Sequence, residues 1–499
     1  MRLSTVADRI GSNRVGVLFV MVSGLACQHG STPASVGDQF EAADITASGP
    51  APELVPEAAS GTRLKAAWVV GPEGERRFRH WRDSKLDLNC RFAVAADGKW
   101  RCLPLHANYA NGYTDPACTT PGVKGFAGNT ERFVKNDVGG ACPPGVEIRR
   151  VGKPVPESSR FGRVGHGTVG GRGVASKPTT TCELQRMMGG AADVMYEIGE
   201  VVTPETFAAA TVEVERKSGG AMGISVMHAE DGAREFWGWH DGARETDCAL
   251  GPAADGRLRC LPRSRTFATG AFAEGGCQRP AGTTRGKSTC ADAGFVRRET
   301  TGQCPLRTSV FRGGNRLQAG YRLSGETCAA APGEHYELGE EIPVSALVAG
   351  ERRRWRPGAG PLAIQIDEVA GLKSASALYD LRLGAACRAE ECDGDVRCTP
   401  QSNLFVGMEF ADPECQVPLA RSFANNQCPS GVASAAVIPN QSCRDRTYYK
   451  VGPRHEGPVY LSFGGHCGKV VSSNQVGPAF RVGPAIKRDE LVKLMEQER

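Results

Sequence analysis

Long apolar runs are missing from this chain of 499 residues. The longest, Val15 to Ala26, has twelve residues, too few to span a bilayer. Charge of one sign is missing as well: 60 Lys and Arg stand against 55 Asp and Glu, a net charge of +5. Arg2, Arg9 and Arg14 against Asp8 supply two of those charges before residue 27, so the remainder is nearly neutral. That excludes a concentrated basic surface, and with it a nucleic-acid partner. The two local basic runs, Glu75–Arg82 and Arg352–Arg356, mix arginine with aromatics and read as solvated faces with arginine stems packed on rings.

Motif chemistry is also lacking. There is no His-Glu-x-x-His, no phosphate-binding loop, no Gly-x-Ser-x-Gly and no paired Cys-x-x-Cys. The nine histidines do not recur in register. No catalytic residue, metal or cofactor is therefore expected. What the chain has in abundance is glycine (63), proline (31) and cysteine (19). Short apolar stretches between so many turn formers favour strands over helices.

The N-terminus reads as an export signal. A cationic region ends at Arg14, the apolar run follows, and it stops at Gly24-Leu25-Ala26-Cys27. These last residues resemble a bacterial lipobox, which implies cleavage after residue 26 and a lipid on Cys27. Plain secretion is the alternative. Parity favours the lipid, because removing Cys27 from nineteen cysteines leaves an even number able to pair in an oxidising compartment. Residues 1–26 are then a signal peptide. Residues 27–60, rich in Ala, Pro, Ser and Thr, read as a flexible tether.

From residue 61 onward one unit recurs three times, at 61–219, 220–357 and 358–499. Cys248, Cys260, Cys277, Cys290, Cys304 and Cys328 return 138 or 139 residues later as Cys387, Cys398, Cys415, Cys428, Cys443 and Cys467. The first copy matches at Cys90, Cys102, Cys118, Cys142 and Cys182, lacks the fourth cysteine, and carries a Gly-rich insertion near 158–177. The third has one extra, Cys392. An aspartate precedes the first cysteine each time (Asp83, Asp241, Asp380), and Asp-Gly-x-x-Arg-Cys closes the first interval in all three copies, the third departing with Thr399 where the others have leucine. An aromatic and an acid precede the third cysteine (Tyr113 and Asp115, Phe272 and Glu274, Phe410 and Asp412). Each copy ends on aromatic-x-x-Gly: Tyr196 and Gly199, Tyr336 and Gly339, Phe480 and Gly483.

This pattern resembles that of uncharacterised cysteine-rich repeat lipoproteins of Gram-negative bacteria, with Asp97-Gly98-Lys99-Trp100-Arg101-Cys102-Leu103-Pro104 and Asp255-Gly256-Arg257-Leu258-Arg259-Cys260-Leu261-Pro262 carrying the motif. The resemblance implies an envelope location and no known activity.

Asp-Gly between two short β-compatible runs is a hairpin signal. The expected fold is all-β: three disulfide-stapled repeats of about 139 residues with roughly eight strands each. These suit a six-bladed β-propeller or, alternatively, three small β domains in tandem. A short C-terminal helix is expected after Pro484, with Leu491, Leu494 and Met495 as its apolar stripe. The expected pairing is first cysteine with second, third with fourth and fifth with sixth, and a Cys118–Cys392 bridge uses the two left over. Asp83, Asp241 and Asp380 read as turn caps; the sharper alternative has them converging on a channel. Arg160, Arg163, His166 and Arg172 in the insertion are the candidate partner site. Functionally, the chain reads as a binding or scaffold lipoprotein. It would sit in the cell envelope, in the outer membrane or periplasm, on a lipid anchor, facing an envelope or extracellular protein or glycan. The alternative is an extracytoplasmic hydrolase.

Overall fold

A computed structural model describes the chain except residues 1–43, 46–50, 106–107, 110–111, 127–131, 139–144, 167–178, 185–192, 217–219, 269, 285–293, 301–305, 325–326, 393, 403, 423–431, 437–445, 464–465, 470–477 and 499. The signal peptide, Cys27, Arg172, Cys142, Cys290, Cys304, Cys428 and Cys443 lie outside the described residues.

Each copy has two halves. The first is a run of antiparallel strands: β1 (Leu64–Val70), β2 (Arg76–Asp83), β3 (Leu88–Val94) and β4 (Trp100–Pro104) in the first copy. The strand that ends this copy, β5 (Ala209–Arg216), pairs with β4 on one side. On the other it pairs with β6 (Met222–Ala229), which starts the second copy. The second copy continues with β7 (Arg234–Asp241), β8 (Thr246–Pro252) and β9 (Leu258–Pro262). Its closing strand β10 (Gly350–Trp355) meets β9 through an Arg259–Ala349 bridge and leads into β11 (Leu362–Val369). After β12 (Leu372–Asp380), β13 (Ala385–Cys392) and β14 (Asp395–Pro400), the last strand β15 (Lys493–Glu498) pairs with β14 and with β1. The pairings thus return to their start.

The second half of each copy is a small curled sheet. In the second copy Thr266–Phe267, Ala281–Thr284, His335–Glu341, Thr308–Arg316 and Phe295–Glu299 close into a five-stranded barrel. The corresponding strands of the third copy follow the same cycle of pairing. Closure explains the aromatic-x-x-Gly motif. The two longest strands of each unit cross with bulges, and a Cβ on Gly199, Gly339 or Gly483 would lie 3.1, 2.9 or 2.8 Å from a carbonyl oxygen of the facing strand. Bulges bend a strand sharply, and only glycine permits so close a crossing.

Among the described residues no closed propeller is formed, because the eight strands of a copy do not make two equivalent flat sheets: half curl into a separate small sheet, closed into a barrel in the second copy. Nor does each copy keep its closing strand to itself, as tandem domains would. The C-terminal helix is replaced by strand Ala479–Ile486, a 3-10 turn at Arg488–Glu490 and β15. Pro484 sits inside the first of these strands. Leu494 is 2% exposed and its neighbour Met495 54%, the alternation of a strand rather than a helical stripe. Among the described residues the only helical pieces are three-residue 3-10 turns.

Six disulfides are described. Cys90–Cys102, Cys248–Cys260 and Cys387–Cys398 join first cysteine to second across the hairpin, as expected, with Cα atoms 5.2 to 5.3 Å apart. The rest of the expected scheme fails. Cys118 pairs with Cys182, Cys277 with Cys328 and Cys415 with Cys467, so the third cysteine takes the sixth and no Cys118–Cys392 bridge exists. Cys392 is disulfide-bonded as well. The reason lies in the strands. The sixth cysteine belongs not to the long crossing strand but to a separate small hairpin (Gly320–Ser324 with Thr327–Ala331 in the second copy) that docks on the turn holding the third. These bridges span 51 to 64 residues. On the chain-entropy model each stabilises by about 4 kcal/mol, against roughly 3 for the short hairpin links.

Candidate binding site where the three copies meet

The repeated polar residues are consumed by architecture. Asp83, Asp241 and Asp380 are fully buried. Each caps its turn, accepting backbone N–H groups of Lys85 and Leu86, of Ala243, and of Arg382 and Leu383. Each also holds an arginine: Arg63 at 2.7 Å, Arg244 at 2.6 Å and Arg382 at 3.4 Å. That guanidinium donates to a carbonyl of the 3-10 turn leading into the closing strand, on Thr206, Ala346 and Glu490. The turn-capping reading stands, and the carboxylates do not converge on a channel.

The arginine before the second cysteine does the matching work one residue on. Arg101, Arg259 and Arg397 donate to the carbonyls of Phe207, Leu347 and Leu491. Asp97 and Asp255 hold Arg101 and Arg259 in place; Asp395 holds Arg397 and Lys493. The Arg259 hydrogen bond keeps the Asp255 carboxyl below its ordinary range, and Lys493 does the same for Asp395. Asp395 is thus a salt-bridge partner. The acids before the third cysteine staple turns: Asp115 accepts N–H groups of Ala117, Thr119 and Thr120, which lower its carboxyl to about 2. Tyr113, Phe272 and Phe410 pair with Phe161, Tyr321 and Tyr460 of the docked hairpins. In the insertion Arg160 is buried and points back to the Val155 carbonyl. Arg163 and His166 fall on one strand, Phe161–His166, and Arg172 lies outside the described residues.

Sequence reasoning missed what lies between the copies. Strands β2, β7 and β12 each carry a β-bulge against the strand before them, between Ala67/Trp68, Ser225/Val226 and Gln365/Ile366. Their N-terminal halves splay from the strand that follows, and that leaves backbone groups to satisfy. Residues 53–60, expected in the tether, satisfy them. The Val55 N–H donates to the Lys373 carbonyl of the third copy at 2.8 Å. The Glu57 carbonyl accepts the Phe236 N–H of the second at 2.9 Å, and Ala58–Ala59 pair with Arg234 and Glu235. The Glu57 carboxylate accepts the Phe78 N–H of the first copy and pairs with Arg77 at 2.8 Å. Arg77 in turn donates to the Ala375 carbonyl. Within five residues this strap touches equivalent segments of all three copies.

Glu235 faces the same place, accepting the Trp81 indole N–H at 2.7 Å. Burial pushes both the Glu57 and Glu235 carboxyls up, opposed by Arg77 at the first and by Trp81 and Arg91 at the second. Glu57 itself adds to the rise at Glu235. Aromatic rings wall the site: Phe78 lies 5.0 Å from Trp81, Arg76 stacks 3.9 Å over Trp68, and Trp100 of the first copy meets Trp237 of the second at 4.9 Å. The one signal in the sequence was Trp81 and Trp239 at the same repeat position; nothing in the strap announced Glu57.

One further cluster brings together a serine, a histidine and an acid. Asp247 accepts both the Ser225 hydroxyl at 2.5 Å and the ring Nδ1 of His240 at 3.2 Å. The hydroxyl donates to the carboxylate rather than to the imidazole, so the histidine does not activate it as a nucleophile. Among the described residues no group of three or more His, Cys, Asp or Glu is placed to hold a metal ion.

Matched against protein families, residues 53–300 and 335–494 fit the model of a family of unknown function, DUF7481. The chain belongs to that family. The matched span begins at the strap, not at the first strand, so the DUF7481 pattern includes the segment that joins the copies. No curated protein and no solved structure matches the chain.

Proposed function

We propose that this DUF7481 chain is an exported lipoprotein, fixed to a bacterial envelope through Cys27, that works as a binding or scaffold protein. The disulfides carry the reading. Six described bridges, spread over all three copies, support a location outside the cytoplasm, because disulfides form and persist where the environment oxidises thiols. The binding role is supported by how the polar residues are used. Repeated acids and arginines hold the copies together, while the unlike residues, Glu57, Arg77, Glu235, Trp100 and Trp237, gather where copies meet.

Metabolic labelling with an alkyne fatty acid in a Gram-negative host tests the anchor: the full chain takes the label and Cys27→Ala does not. Equal labelling of both, or of neither, overturns the lipoprotein reading. A panel of fluorogenic hydrolase substrates tests the role. Turnover abolished by changing a single carboxylate would make the chain an enzyme.

A further inference from the structure

The strap is held by polar groups and by limited apolar packing. Leu54 and Ala58 pack against neighbouring cores but are only half-buried, as is Val55, and Pro56 and Ala59 are exposed. What it supplies is backbone hydrogen bonds for the second and third copies and one carboxylate for the Phe78 N–H and Arg77 of the first. Downstream, the chain is fixed: the Asp231 carboxylate accepts the N–H groups of Arg63 and Leu64 at 2.8 and 2.6 Å. Opening would therefore stop at about residue 61 and leave the sheets intact. It would bare the N–H groups of Phe78 and Phe236, the carbonyl of Lys373 and the guanidinium of Arg77, beside Arg76 and Arg91 and a single acid, Glu235. Strand edges without partners and an excess of arginine call for an extended backbone that brings negative charge. The pairing of Ala58–Ala59 with Arg234 and Glu235 gives the segment after that charge an extended backbone.

We infer that residues 53–60 are a displaceable plug, and that the slot they fill is a binding site for an extended peptide presenting a carboxylate. This rests on the binding reading above and names its partner class. The recognition is strand addition: backbone bonds to Lys373, Phe236 and the β7 edge give affinity, and the Arg77–carboxylate pair gives selectivity.

The test uses the full chain and a fluorescein-labelled peptide with the sequence of residues 51–60. Glu57→Arg sets the strap against Arg77 and loosens the plug. The peptide is expected to bind this variant about tenfold or more tightly than the wild type, and a peptide with arginine at the Glu57 position to bind at least tenfold more weakly. Binding indifferent to that charge, or no binding to the variant, overturns the inference. Hydrogen–deuterium exchange of the wild type decides the matter if the variant fails to fold. Amides of residues 55–59 are expected to exchange at least a hundredfold faster than those of β6 and β7, and protection equal to those strands overturns it. Loss of the fatty-acid label alone would remove the anchor and leave the slot standing.

Discussion

Asp83, Asp241 and Asp380 occupy one repeat position and make one kind of contact, yet their arginine partners differ in exposure. Changing each to asparagine keeps an oxygen for the turn amides and removes the negative charge facing the arginine. Arg63 and Arg244 have side chains only 15% and 12% exposed, so the change leaves a nearly buried guanidinium without its counter-charge. Breaking such a pair costs about 3 kcal/mol or more. Arg382 is 49% exposed and sits 3.4 Å from Asp380. Water screens that pair and rehydrates the freed arginine, so Asp380→Asn is expected to cost only about 1 kcal/mol. The assay is guanidinium denaturation of the oxidised chain followed by tryptophan fluorescence, which Trp81 and Trp239 report from β2 and β7. Alanine in place of asparagine adds the lost turn cap, about 1 kcal/mol at each site. Equal costs at the three positions would refute the reasoning, and so would a largest cost at Asp380. Either would mean that the turn, not the ion pair, sets the energy.

Three other outcomes are expected. The first-to-second disulfides are buried, with every sulfur-bearing residue at most 3% exposed, whereas Cys328 and Cys467 are partly accessible; differential alkylation during mild reduction should open the third-to-sixth bridges of the second and third copies first. Burial raises the carboxyls of Glu57, Glu75, Glu235 and Glu409, while hydrogen bonds lower those of Asp115 and Asp255. A raised group stabilises fully below its unfolded value near 4.5 and loses that as pH rises through the folded one, and a lowered group loses its contribution as pH falls below about 4. Stability should therefore peak in mild acid, and Glu75→Gln, which removes a carboxyl that burial pushes up, should flatten the decline toward neutral pH in thermal melts. Finally, Gly339→Ala pushes a Cβ against the Arg312 carbonyl and should destabilise by about 1 to 3 kcal/mol, read as protease sensitivity of the second copy.

The threefold rhythm and the hairpins were legible because they depend on local chemistry. Asp-Gly turns need a left-handed residue, and Gly98, Gly256 and Gly394 supply it at φ of 78, 80 and 84°. The third-to-sixth bridges were not legible, because which cysteines meet depends on where a docked hairpin lands. The C-terminal segment misled for a similar reason. Leu491 and Leu494 fit a helical stripe as well as a strand edge, and pairing with β1 and β14 decided between them. Glu57 was invisible, since its neighbours Pro56, Ala58 and Ala59 look like a linker until the three sheet edges around it are known.

By itself the sequence determined an all-β chain of three alike units, its hairpin disulfides, and a place outside the cytoplasm, because turn chemistry and cysteine parity act over short stretches of chain. Only the tertiary structure decided that each copy lends its last strand to the next, that β15 closes the circuit, and that residues 53–60, the end of a supposed tether, lie at the junction. Those choices rest on edge hydrogen bonds between residues hundreds of positions apart. No local pattern encodes which edges remain unpaired once every sheet has formed.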